Sequence, residues 1–122
     1  MDIEQALIIV KRRPGMYIRT PNIRELRHFI GGFLFNNIEC GRKYPMDINF
    51  RRKFHEWARQ RIEERRGIIF DLDVGYDDYI EAVCENGEQE MTLFFELCEE
   101  FFEEMRNYNG EDMLWEVQGE AE

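Results

Sequence analysis

Met91-Thr92-Leu93-Phe94-Phe95-Glu96-Leu97-Cys98-Glu99-Glu100-Phe101-Phe102-Glu103-Glu104-Met105 is the stretch that decides how the chain folds. Met91, Phe94, Phe95, Cys98, Phe101, Phe102 and Met105 stand at i, i+3, i+4, i+7, i+10, i+11 and i+14, an unbroken apolar stripe with the α-helical period. The spacing predicts a long helix over about 88–108 at the centre of the core. On its other side Glu96, Glu99, Glu100 and Glu103 repeat with the same period, and no Lys or Arg is interleaved. Like charges four apart weaken a helix by a few tenths of a kcal/mol per pair. Such a row is either a solubilising surface or a surface kept acidic for a basic partner.

Outward from this helix the pattern stays helical. Asp2 is placed to cap a first helix to about Arg12, with Ile3, Ala6, Leu7 and Val10 on one face. Arg13-Pro14-Gly15 ends it, and Met16-Tyr17-Ile18 is expected to fold back into the core. Asn22 caps a second helix to about Cys40, with Leu26, Phe29, Ile30, Phe33 and Leu34 inward and Gly41 as its stop. Gly31-Gly32 inside that helix suggests the close approach of another backbone, because each Gly costs roughly 1 kcal/mol against Ala. After Tyr44-Pro45, Asp47 is expected to cap a third helix with Phe50, Phe54, Trp57, Ala58, Arg61 and Ile62 on one stripe. The remainder of that helix is basic, with Arg51, Arg52, Lys53, Arg59, Arg65 and Arg66.

Residues 67–75 read as an irregular connector that buries Ile69, Phe70 and Leu72, since a single strand would have no partner to pair with. Tyr76 to Glu85 reads as a short helix with Ile80, Val83 and Cys84 inward, ended by the turn pair Asn86-Gly87. Met113, Leu114, Trp115 and Val117 suggest a docked tail that frays over 119–122. The fold class expected is therefore mainly α: a single-domain bundle of about five helices over 1–118.

The whole chain, 122 residues with 43% hydrophobic and 14% aromatic content, is the size of one domain and able to bury a core. Its longest aliphatic run, Ala6-Leu7-Ile8-Ile9-Val10, falls far short of the roughly 20 apolar residues of a membrane span. The opening Met1-Asp2-Ile3-Glu4 lacks the character of a secretory leader, which predicts a cytoplasmic protein. Cys40, Cys84 and Cys98 form no CxxC pair and are expected to be buried free thiols. Charge is distributed unevenly. The first 66 residues hold 15 basic and eight acidic side chains, a balance of +7, whereas 67–122 hold one basic and 18 acidic, a balance of −17. The asymmetry points to a cationic partner for the acidic half, or to two halves that neutralise each other within one domain.

Catalytic patterns are scarce. His28 and His55, the only histidines, lie on different expected helices, and neither has Cys or Ser at motif spacing. Asp71 and Asp73 match the first and third positions of a calcium loop, but Gly75, Tyr76 and Ala82 then occupy the fifth, sixth and twelfth. No enzyme, cofactor or metal site is expected. The basic third helix, with Phe50, Phe54 and Trp57 interleaved, is a weaker candidate for nucleic acid, because those aromatics follow core periodicity and the total charge is −10.

Two resemblances attach to Lys11-Arg12-Arg13-Pro14-Gly15-Met16-Tyr17-Ile18. The segment looks like the RPGMYIG stretch of type II topoisomerase ATPase subunits of the gyrase B kind. That similarity spans about eight residues. Arg19 stands where those proteins have Gly, and no glycine-rich phosphate loop follows, so an ATPase is excluded. The wider resemblance adds Phe29-Ile30-Gly31-Gly32, Phe54-His55-Glu56-Trp57 and Phe94-Phe95-Glu96-Leu97. Together these are similar to a small acidic bacterial family that includes immunity proteins of polymorphic and contact-dependent growth inhibition toxins. The resemblance implies that Tyr17 and Trp57 are core or near-core aromatics. It also implies a protein partner, a cognate toxin domain of the nuclease kind whose basic cleft receives phosphates. The toxin-binding set expected is Asp71, Asp73, Asp77, Asp78, Glu96, Glu99, Glu100 and Glu103. The alternative is a helical adaptor or regulatory protein that turns the same acidic face to another basic partner.

Overall fold

A computed structural model describes residues 1–107, which form one helical domain. The tail residues Met113, Leu114, Trp115 and Val117, the domain end at 118 and the frayed 119–122 lie outside the described residues. Five helices follow in order: α1 (Ile3–Arg12), α2 (Ile23–Glu39), α3 (Pro45–Arg66), α4 (Tyr76–Val83) and α5 (Gly87–Arg106), with one 3-10 turn at Pro14–Met16. No strand occurs among the described residues, and 67–75 is an irregular connector as expected. No helix among them is long and apolar enough to cross a membrane.

Local chemistry sets each boundary. Asp2 accepts the Gln5 N–H at 3.0 Å while Gln5 Oε1 accepts the Asp2 N–H at 2.9 Å, a reciprocal cap on α1. Asn22 and Asn86 cap α2 and α5 through the N–H groups of Glu25 and Gln89, each at 2.9 Å. Asn86-Gly87 thus starts α5, and α4 stops earlier than expected, at Val83. Gly67 ends α3 at φ +66° and Gly41 follows α2 at φ +74°, the left-handed region open to glycine at no steric cost.

α3 packs on α1, α4 and α5, and α2 on α1, α4 and α5, so the core lies where α3 and α5 cross. The whole predicted stripe of α5 is buried, joined by Leu93 and Leu97. Phe54 of α3 stacks on Phe50 at 4.5 Å between centroids and meets Phe101 and Phe94 edge-on at 5.1 and 5.8 Å.

Several expectations are corrected. Asp47 does not cap α3. That helix begins with Pro45, and Asp47 is a buried acceptor for the Ile3 N–H at 2.7 Å and Asn37 Nδ2 at 2.9 Å, so a residue of α3 satisfies an orphan amide of α1. Gly31 and Gly32 meet no neighbouring backbone among the described residues: a Cβ at either would have none of their atoms within 4 Å. Ile18 enters the core, but Met16 and Tyr17 stay exposed, Tyr17 touching Phe29 edge-on at 5.9 Å. Trp57, by contrast, is near-core as expected: it is half-buried against Phe54 and Phe101 and donates through Nε1 to Glu104 Oε2 at 2.8 Å. Of the three free cysteines only Cys98 is buried; Cys84 is half-buried, as is Val83, and Cys40 is exposed. Ile69 and Leu72 are 83% and 70% exposed, and Phe70 alone turns partly inward against Tyr79. The connector is too short of inward contacts to follow its hydrophobicity.

Candidate functional site

The eight carboxylates expected to bind a partner fall in four places. Along the edge of α5 that faces α3, Arg65 pairs with Glu96 at 3.3 Å and with Glu100, while Arg61 lies 4.0 Å from Glu100. Along the edge facing α1, Lys11 Nζ reaches Glu99 at 2.7 Å, and Glu103 stands exposed with no ion pair among the described residues. In the connector, Asp71 and Asp73 are exposed and also lack an ion pair among the described residues. At the start of α4, Asp77 and Asp78 face α2. The basic first half therefore meets the acidic second half across the helix seams. Most of these pairs are solvent-exposed and worth under about 1 kcal/mol each, so they hold the side chains only weakly.

The α2–α4 cluster is the most ordered of the four. Asp77 is only 3% exposed and paired with Arg27, which is itself less than half exposed; Arg24 lies 3.8 Å from Asp77 and 3.5 Å from Asp78 and is bonded to Glu81. The carboxylates of Asp77, Asp78 and Glu81 come within 4.8 Å of one another, the approach a cation would need. Two guanidiniums already meet that charge, so the cluster reads as an internal ion-pair network joining α2 to α4. Gly75 completes it, since a Cβ there would overlap the end of Arg27.

His55 of α3 belongs to the same cluster. Its Nδ1 accepts the Tyr76 N–H at 3.0 Å, an orphan amide of α4, and its ring stacks on Tyr76 at 5.0 Å. Burial, with the nearby Arg27 charge, holds the imidazole below its ordinary pKa, which keeps the accepting nitrogen free of a proton. Arg27 also lies over the Tyr76 ring at 5.5 Å. Burial pushes the Tyr76 phenol and the Cys98 thiol well up from their usual values, which leaves both as neutral core groups.

No protein-family model, curated protein or solved structure matches the chain.

Sequence reasoning missed Arg24, Arg27 and Glu81, the partners that tie Asp77 and Asp78 down. Arg24 and Arg27 stand at i and i+3, which places them on one face of α2. Which acidic face they would meet, some 50 residues away, carries no local signature. The exposed Ile69 and Leu72 were missed for a related reason: hydrophobicity marks a residue that gains from burial, whether the buried surface is its own core or a partner's.

Proposed function

We propose that the chain is an immunity protein that binds and neutralises a cognate cytoplasmic toxin domain, a nuclease with a basic cleft, through the acidic surface of its C-terminal half. The observation that carries the reading is the connector. Ile69 and Leu72 stand in solvent next to Asp71 and Asp73, whose carboxylates have no cation partner among the described residues. Apolar anchors interleaved with unpaired charge are what a tight and specific protein contact needs: the apolar side chains supply desolvation and the charges supply orientation and a fast encounter. Arg65, Arg61 and Lys11 meet part of the row on α5, but a chain at −10 still attracts a basic protein within about a Debye length.

The test is a pull-down of the tagged chain from the cells that encode it, at low and high salt, with the partner identified by mass. Near-stoichiometric recovery of a basic toxin domain is expected. Asp71→Lys with Asp73→Lys, and separately Ile69→Ser with Leu72→Ser, should each weaken binding of the purified partner at least tenfold, because these residues are exposed and outside the core. Recovery of a housekeeping protein instead would move the reading to an adaptor, and full affinity in both double variants would remove the connector from the interface.

A further inference from the structure

Two depressions adjoin along the seam between α1 and α5. One, of about 600 Å³, lies beside Pro14, Pro21, Met91 and Phe95; the other, of about 310 Å³, lies beside Leu7, Ile8, Phe95 and Phe102. Both are bordered by Phe95, Lys11 and Glu99, so they form one groove crossed at mid-length by the Lys11–Glu99 bridge. The floor is apolar and the rim is acidic: Glu4, Glu88, Glu96, Glu99 and Glu103 stand against Lys11 and Arg106 on the rim and Arg65 of α3, which reaches Glu96. Along α5 the groove runs from Glu88 to Arg106, a length of about 27 Å at the helical rise per residue, or roughly five turns.

We propose that this groove is the docking site for a basic amphipathic helix of the partner protein. A helix of about 18 residues matches its length, with an apolar stripe on Ile8, Met91 and Phe95 and lysines or arginines on the carboxylate rim. Lys11 and Arg106 already place a cation on Glu99 and on Glu4, which shows where the incoming charges sit. Their exchange is cheap, since exposed pairs contribute little. Charge also decides between occupants. Residues 108–122 of this chain carry five acidic and no basic side chains, so the tail would set like charge against the rim. A second copy joined by a two-fold axis would do the same, presenting one acidic rim to another. The inference rests on the reading above only in taking the partner to be a basic protein.

The probe is an 18-residue lysine–leucine peptide with leucines at i, i+3, i+4 and i+7, titrated into the full chain at 0.15 M salt. Its control has the same composition scrambled to abolish the stripe. Binding at one peptide per chain is expected, at least tenfold tighter than the control, and weakened at least tenfold by Ile8→Asp or by Glu99→Gln with Glu103→Gln. Asp71→Lys with Asp73→Lys should leave it unchanged. Ile8 is 51% exposed, so the charge does not enter the core, and an unchanged helical circular dichroism spectrum checks this. Equal binding of the scrambled peptide, or full affinity in Ile8→Asp, would overturn the proposal. So would a tenfold gain in affinity on Leu114→Ser with Trp115→Ser, which would assign the groove to the tail, or a dimer undone by Ile8→Asp, which would assign it to a second copy. If the peptide fails while a toxin still binds through the connector, the groove is wrong and the immunity reading stands; the reverse pattern separates them the other way.

Discussion

At the residue scale, two buried polar side chains join elements that no local rule connects. Asp47 supplies the acceptor for the Ile3 amide and for Asn37. Replacing it with Ala leaves the Ile3 amide unpaired and Asn37 Nδ2 with only the Met1 carbonyl, so Asp47→Ala should lower stability by about 2 kcal/mol in urea unfolding at neutral pH. A loss under about 0.5 kcal/mol would mean that water reaches both groups. His55 makes stability depend on pH. In the unfolded chain it takes a proton near its ordinary pKa of about 6.5, whereas in the fold burial and Arg27 hold that pKa lower. The unfolded state therefore binds more protons in this window, so His55's contribution is complete above about 6.5 and is lost as pH falls through the folded value. The urea midpoint of the native chain should drop between pH 7 and 5 by more than that of His55→Gln, and parallel profiles would exclude the effect. Asp47 acts with the opposite sign and at lower pH. Burial raises its carboxyl, so its contribution is present below the ordinary carboxylate range and is lost as pH rises through the folded value.

At the element scale, periodicity governs what packs and what can change. The α5 stripe is buried as spaced because its positions share the side of the helix turned to the rest of the bundle. The paired glycines of α2 behave differently. With nothing among the described residues within 4 Å of either Cβ, Gly32 keeps only its entropic penalty. Gly32→Ala should raise stability by about 0.5–1 kcal/mol and lift the melting temperature, and a loss would reveal an approach that the structure lacks. Asn49 of α3 is a second local conflict: it is 1% exposed, and neither its amide oxygen nor its nitrogen has a hydrogen-bond partner among the described residues. Asn49→Leu keeps the shape, removes two unsatisfied groups and should stabilise by about 1 kcal/mol, measured as a shift in the urea midpoint.

At the scale of the whole molecule, the charge asymmetry of the two halves is met partly from within. Arg65, Arg61, Lys11, Arg24 and Arg27 each cross a seam to a carboxylate of the second half. The chain nevertheless stays at −10, a surplus left for solvent or a partner. Arg65→Ala releases Glu96 and much of the hold on Glu100. It should cost under about 1 kcal/mol of stability, since these pairs are exposed, while speeding association with a basic protein at low salt. A stability loss above about 2 kcal/mol would show that the seam pairs carry structure after all.

The sequence by itself determined the helical class, the helix limits at Asp2, Asn22 and Gly41, and the buried stripe of α5. Each follows from interactions within a few residues: a cap meets an amide three positions away, and a helical period repeats every turn. The tertiary structure alone decided that Asp47 serves α1, that Asp77 is held by Arg27, and that Gly31 and Gly32 meet none of the other described residues closely. It also decided that Ile69 and Leu72 stay in water. These depend on which faces meet across tens of residues, and nothing in the local pattern encodes that pairing.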